Sequence, residues 1–419
     1  MPREERCPIL IVGAGPAGIA AARAAAECRV PATVVDDNAA PGGQIWRGEH
    51  NRWTDRLRAS GARFFHETRI LAPLADGRLL AERDGVPIVF QCEKLILATG
   101  ARELFLPFPG WTLPGVTGAG GLQALVQGGL PIAGKRVVVA GTGPLLPAVA
   151  AHLRRRGASI VAIAEQAPLR QMARFAAQLW RTPGRIAQAL HLAFLLRGVA
   201  RFEEAWPVAA EGDGCLRSVT LRTPSGTRRF ECDYLACGFG LVPNIELAAL
   251  AGCALRAGFV AVDEWQQTSL PNTFCAGEPT GIGGVDRSLL EGRIAGLVAA
   301  GRPERARRLF RSRRRLDAFA AELARCFTLR DELRRLARKD TVVCRCEDVS
   351  LEKAAQHDSP RAARLQARCG MGACQGRICG PALSFVLGWP GTSGHARPPV
   401  FPAAMSSLAG ASDDESTPA

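Results

Sequence analysis

The chain has 419 residues, 47% of them apolar, with 45 glycines and a formal net charge of +14. That length exceeds what one ordinary core supports, so two or three domains are expected. The positive charge comes with a single tyrosine and no aromatic repeat, which excludes a nucleic-acid groove, and no apolar run reaches the ~18 residues that a membrane-spanning helix needs.

In chain order, the first apolar run, Pro8 to Val12, reads as a buried parallel strand rather than the core of a secretory signal. It enters the turn Gly13-Ala14-Gly15-Pro16-Ala17-Gly18, and the Ala-rich stretch Ile19 to Glu27 then reads as a helix. Gly13 permits the tight turn, Gly15 lets backbone approach a pyrophosphate, and Gly18 lets helix pack on strand. Phosphates would sit at the helix N-terminus, where free N–H groups and the helix dipole favour anions. A second apolar strand, Ala32 to Val35, ends in Asp36, placed to accept ribose hydroxyls. Strand, turn, helix and acid at this spacing predict a dinucleotide site.

Three later segments narrow the dinucleotide. Pro41-Gly42-Gly43-Gln44 follows the second strand. Leu95 to Ala98 is a buried strand ending in Thr99 and Gly100. Asn272 to Ala276 is another, ending in Gly277 and Glu278. In this order they resemble the flavoproteins with two dinucleotide domains that are related to thioredoxin reductase and glutathione reductase. The resemblance implies an α/β fold with two Rossmann-like domains and FAD as cofactor. It implies cofactor contacts at Gly13, Gly15, Pro16, Ala17, Gly18, Asp36, Gly43, Gln44, Thr99, Gly100, Gly277 and Glu278. The family usually has Asp where this chain has Glu278.

A second nucleotide-like unit begins at Gly134. The strand Lys135 to Ala140 leads into Gly141-Thr142-Gly143-Pro144-Leu145-Leu146, and Glu165 ends the next strand, Ser159 to Ala164. Gly141, Gly143 and Glu165 fit an NAD-type site, and Glu165 disfavours NADP by repelling a ribose 2′-phosphate. Leu146 stands where a small residue is usual, so a working NAD site and a retained fold that binds nothing, or a different nucleotide, both stay open. Residues 165 to 200 read as helical, with Leu169, Met172, Phe175 and Leu179 near helical spacing. Cys232 and Cys237 bracket a buried strand and read as core. The absence of a redox C-x-x-C pair argues against disulfide reduction.

Much of the excess charge sits between Arg302 and Lys339. This run is either a solvated helical linker or a docking surface for an acidic partner. Beyond it come five cysteines: Cys344, Cys346, Cys369, Cys374 and Cys379. Thiolates in such a cage suit zinc as well as iron–sulfur, although zinc ribbons more often show paired C-x2-C knuckles, and free thiols are the third reading. The segment resembles the small helical iron–sulfur module of bacterioferritin-associated ferredoxin, in the variant reading C-x-C and then G-M-G-x-C-Q-G-R-x-C. That resemblance implies a 2Fe–2S cluster held by Cys344, Cys346, Cys374 and Cys379, with Cys369 left over.

Taken together with Gly281-Ile282-Gly283-Gly284 and Glu291-Gly292-Arg293, the order of motifs resembles, over nearly the whole chain, the larger FAD-binding subunit of heteromeric amino-acid and opine dehydrogenases. In that family the amino-acid or opine substrate is oxidised in a partner flavoprotein related to glycine and sarcosine oxidases. This subunit collects the electrons, and FMN at the subunit interface is a further possible cofactor. A hetero-oligomer is implied, with no nucleic acid and no transmembrane segment. The rival expectations are a stand-alone NAD(P)H-dependent flavin reductase and a non-catalytic structural subunit. None of the six histidines stands in an acid–base or nucleophile constellation, so no catalytic residue is assigned. The scattered thiols and the missing signal segment point to a reducing, cytoplasmic setting.

The expected domain map has a split FAD domain at 1–115 and 241–300, an inserted NAD-type domain at 116–240, a basic helical linker at 301–340, the 2Fe–2S module at 341–388 and a Pro/Ser-rich tail at 389–419. The tail is expected to be disordered from Ser406 on, with Pro398 to Pro402 packing as an extended strap.

Overall fold

The computed structural model describes residues 2–47, 51–75, 77–178, 183–390 and 396–412. The chain divides into two units. One comprises Met1–Arg102, Pro243–Ala321 and Ser393–Ala419; the other comprises Glu103–Val242 and Glu322–Thr392. The divisions fall at 102/103 and 242/243, and the basic run is shared out at 321/322. The cysteine module belongs to the second unit.

The first unit is built on a parallel sheet. Strand β1 (Arg3–Val12) runs parallel to β2 (Ala32–Val35) on one side and to Val86–Leu97 on the other; Arg63–Phe65 and Thr273–Cys275 extend it at either edge. An antiparallel hairpin, Arg69–Pro73 with Leu79–Arg83, pairs with the N-terminal half of Val86–Leu97. The strands are Val/Ile/Leu-rich and buried, as a parallel sheet covered on both faces requires. Helix α1 (Pro16–Glu27) crosses between β1 and β2 and buries eight of its residues, mostly alanines. Those small side chains let helix Val285–Ala299 pack closely against it.

Part of the tail belongs to this unit. Val400 is buried in the core below the hairpin, and its N–H donates to the Leu71 carbonyl (2.6 Å). This is the strap expected at 398–402. Downstream, Met405–Ser412 is helical and Ser407 is buried, its Oγ facing the Gly85 carbonyl. Order therefore reaches past Ser406, where disorder was expected, because the segment finds a backbone acceptor and a packed surface; residues 413–419 lie outside the described residues.

The second unit has a five-stranded parallel sheet in the order Ala200–Glu203, Ser159–Glu165, Arg136–Gly141, Tyr234–Gly238, Val116–Gly118. A three-stranded antiparallel sheet, Trp206–Glu211, Ser218–Thr223 and Gly226–Glu231, accompanies it. The helical stretch divides into Leu169–Gln178 and Pro183–Leu195; within it Phe175 is buried and Leu169 exposed, and Leu179 lies outside the described residues. The end of the basic run is not a free linker: Leu333 and Leu336 enter this unit's core together with Ala382. The cysteine module is anchored to the same unit by Trp111 Nε1, which donates to the Val342 carbonyl (2.6 Å).

Candidate functional site

The first glycine turn is tied to the end of β2 and leads into an uncapped helix. The Gly13 N–H donates to Val35 O (2.8 Å), and the Ala14 N–H to Asp36 Oδ2 (2.5 Å). Asp36 Oδ1 accepts from the Asn38 backbone (2.9 Å) and side-chain amide (2.6 Å). The carboxylate is thereby fixed at the end of β2, and burial pushes it above its ordinary range. Helix α1 starts at Pro16 with no side-chain cap, so its first-turn N–H groups have no intrahelical acceptor and are available to an anion. A Cβ on Gly18 would run into the Gly13 carbonyl oxygen, which is why only glycine serves there. Ala17 is buried behind the turn.

The other FAD-type segments converge on this turn. Gly43 opens the short helix Gly43–Trp46, and a Cβ on it would meet Gly15 Cα at 2.9 Å, so the P-G-G-Q segment lies directly over the turn. Gln44 is exposed. Thr99 Oγ1 donates to Asn244 O (2.5 Å), Asn244 Nδ2 donates to Thr99 O (2.9 Å), and a Cβ on Gly100 would meet nothing within 4 Å. Glu278 Oε1 accepts from the Gly284 N–H (2.9 Å), whereas its Oε2 is buried with no hydrogen-bond partner among the described residues. An orphaned buried carboxylate oxygen beside an open glycine cradle fits a polar cofactor.

The residue beneath this arrangement is Glu291, fully buried on helix Val285–Ala299. It accepts from the Gly277 N–H (2.9 Å) and Thr280 Oγ1 (2.8 Å), and its other oxygen pairs with Arg287 Nη2 (2.8 Å). Glu291 was visible as part of the E-G-R motif, but its role in holding the Gly277 turn comes only from the fold.

The second glycine turn repeats the pattern. The Gly143 N–H donates to Glu165 Oε2 (2.6 Å) and the Ala167 N–H to Glu165 Oε1 (2.9 Å). Leu146 does not force the helix off the sheet. It is fully buried, and Gly238 on the neighbouring strand makes the room, since a Cβ there would meet Leu146 Cδ2 at 3.2 Å. Cys232 and Cys237 are free thiols and fully buried, and burial raises both above the usual thiol range. That makes them inert packing residues.

In the cysteine module, Cys344 ends the strand Val342–Cys344 and Cys379 opens the helix Cys379–Leu387. Their sulfurs and that of Cys369 lie within 4.8 Å of one another, all three buried. Cys346, exposed, and Cys374, half-buried, form a second pair with sulfurs 3.6 Å apart. The structure thus brings together Cys344 with Cys379, and Cys346 with Cys374, and adds Cys369, which the motif left over. The equal spacing of Cys369, Cys374 and Cys379 was the one available signal.

Hydrogen bonds from the Cys369 and Cys379 thiols, with another from the Gly370 N–H (3.4 Å), draw the Cys344 thiol well below the usual thiol range. A thiolate is what a metal ligand requires. A Cβ on Gly372 would strike Cys346, so the G-M-G run keeps the loop against the cysteine turn. Clustered thiols with an N–H directed at sulfur suit an iron–sulfur group.

Among the described residues no helix is long and apolar enough to cross a membrane. The sequence profile of the pyridine nucleotide-disulphide oxidoreductases matches residues 7–303. The chain is 33% identical to hydrogen cyanide synthase subunit HcnB of Pseudomonas aeruginosa, over 88% of this chain and 90% of that protein. It is 32% identical to an opine oxidase subunit of Rhizobium meliloti, over 90% and 91% respectively. Its fold is similar to that of L-proline dehydrogenase from P. horikoshii, with a TM-score of 0.70 and 18% identity over 97% of this chain and 80% of that one. The chain belongs to the pyridine nucleotide-disulphide oxidoreductase family, as an FAD-dependent oxidoreductase subunit homologous to HcnB and to the opine oxidase subunit.

Proposed function

We propose that this chain is the electron-transferring subunit of a heteromeric amino-acid or opine dehydrogenase. Its partner would be a catalytic flavoprotein related to glycine and sarcosine oxidases, which oxidises a secondary amine. One observation carries the reading: a dinucleotide cradle and a five-cysteine module share one chain, and the module lies beyond the 7–303 matched by the family profile. Two relatives named as enzyme subunits, similar over nearly the whole length, support it.

FAD would supply two-electron acceptance and a 2Fe–2S cluster one-electron release, with FMN at a subunit interface as a further group. The first-turn N–H groups of α1 bind the pyrophosphate, and Asp36 orients the ribose. Glu278 offers its unpaired Oε2 to a hydroxyl, while Glu291 holds the Gly277 turn in position. Cys344, Cys346, Cys374 and Cys379 hold the cluster, with Cys369 packed against Cys344 and Cys379. The fourteen cysteines, none paired in a disulfide, support a reducing, cytoplasmic setting.

The test is to co-purify the chain with its partner under anaerobic conditions. Flavin absorbance should bleach on adding amine only when both subunits are present, and the preparation should contain iron and sulfide. Bleaching by NADH in the isolated chain would favour the reductase reading instead. A flavin that stays oxidised with partner and substrate present would favour a structural subunit.

A further inference from the structure

The same glycine turn occurs twice in this chain, and the two have different surroundings. At Gly15 the one approach to a built Cβ among the described residues, its chain neighbours aside, is from Gly43 Cα at 3.9 Å. At Gly143 the nearest atom is Cγ of Phe327, at 3.8 Å. That ring is held from behind by Phe175, edge to face with centroids 5.2 Å apart. The position a pyrophosphate would approach therefore faces an aromatic side chain.

The backbone next to Phe327 is fastened to the turn through one side chain, Gln166, which is fully buried. Its Nε2 donates to Thr142 Oγ1 (2.9 Å) and to the Thr328 carbonyl (3.2 Å), and its Oε1 accepts from the Arg330 N–H (3.1 Å). Both amide hydrogens and one lone pair of the amide oxygen are used, so each polar atom of the latch has a partner. Arg330 clamps the far end. Its guanidinium pairs with Glu204 (2.8 Å) and Glu332 (2.9 Å) and lies over the Trp206 ring at 5.4 Å. A nucleotide entering here would have to break these bonds and move the ring without leaving the Gln166 amide unpaired in the interior.

We propose that the segment Phe327–Arg330, latched by Gln166, closes the second nucleotide site against pyridine nucleotides and so determines that this subunit takes no electrons from NAD(P)H. Residues 327–330 lie outside the 7–303 matched by the family profile, so the glycine turn and its acid within that stretch do not by themselves reveal the closure. It concerns binding by the isolated chain and stands apart from what the partner subunit does.

The test is NADH binding to the full-length chain, read by fluorescence energy transfer from tryptophan, for wild type, Phe327→Ala and Gln166→Ala, with circular dichroism as the fold control. Wild type should show no saturable binding at millimolar NADH, and at least one variant should bind at least about tenfold more tightly. Saturable wild-type binding that neither variant changes overturns the proposal. Failure of both folded variants to gain binding equally overturns it, because closure would then lie elsewhere. Hydrogen exchange on the wild type covers the case in which the variants do not fold. The Arg330 amide should exchange slowly and ignore NADH, and an NADH-dependent change in its rate refutes the closure.

Discussion

The Cys346 and Cys374 sulfurs, 28 residues apart in sequence, sit 3.6 Å apart in space. One comes from the turn after a strand and the other from a glycine-rich loop, so neither is positioned by its local sequence. Their approach gives the module a second sulfur pair beside the buried trio. With the proposed 2Fe–2S cluster in this module, Cys374→Ser should abolish its visible absorbance and lower bound iron, leaving flavin content unchanged. Cys369→Ser should keep the iron and alter only the electron paramagnetic resonance line shape. Equal iron loss in both variants would place Cys369 among the ligands.

Asp36 fixes the first turn through the Ala14 N–H and Asn38. In Asp36→Asn the charge-assisted bond to Ala14 is replaced by a neutral one, a loss of ~1.5 kcal/mol. FAD affinity should fall by about tenfold, measured as flavin retained per protein after extended dialysis. An unchanged ratio would show that Asp36 does not serve the cofactor.

Glu291 is a buried anion facing Arg287 and Arg313. Removing one member of such a group strands the other charges and costs ~3–5 kcal/mol. Glu291→Ala should therefore lower the midpoint of thermal unfolding and release FAD, because the Gly277 N–H and Thr280 hydroxyl lose their acceptor as well. A midpoint within error of wild type would contradict this account.

Glu103 supplies the pH-dependent case. Its carboxylate accepts from the Gly120 (2.7 Å) and Gly121 (2.9 Å) N–H groups at the start of helix Ala119–Gln127. Burial nevertheless pushes its pKa above the ordinary 4.5. The folded chain thus keeps this proton to higher pH than the unfolded chain does. The stability this contributes is full below 4.5 and is lost as pH rises through the folded value. The difference in unfolding free energy between wild type and Glu103→Gln should accordingly favour wild type most in acid and shrink toward neutrality. Chemical denaturation at several pH values measures it, and a difference that grows with pH would reverse the assignment.

What could be read from the sequence was local. The turn Gly13 to Gly18, its strand, its helix and Asp36 are consecutive, and the spacing alone places them. The cysteine module is nearly so, since two short motifs carry four of its thiols. The Gln166 latch was invisible because its acceptor and donor partners at Thr328 and Arg330 come 162 and 164 positions later, and glutamine hydrogen bonds leave no periodic trace. The basic run hid its own division. Arg313 turns inward to Glu291 and Leu333 enters a core, while charge composition suggested only a solvated face or a docking surface. Gly238 making room for Leu146 is likewise a compensation between strands that no single-segment pattern records.

The way the chain is shared between the two units has a consequence for its synthesis. The first unit uses Val400 in its core and the second uses Leu333 and Ala382 in its own. Neither core is complete until these late residues have left the ribosome, so the nascent chain carries an unfinished second unit up to Ala382 and an unfinished first unit up to Val400. A stop codon at or shortly before position 400 removes the strap at Val400, and such truncations should be recognised and degraded as unfolded protein although they keep both glycine turns and the five-cysteine module.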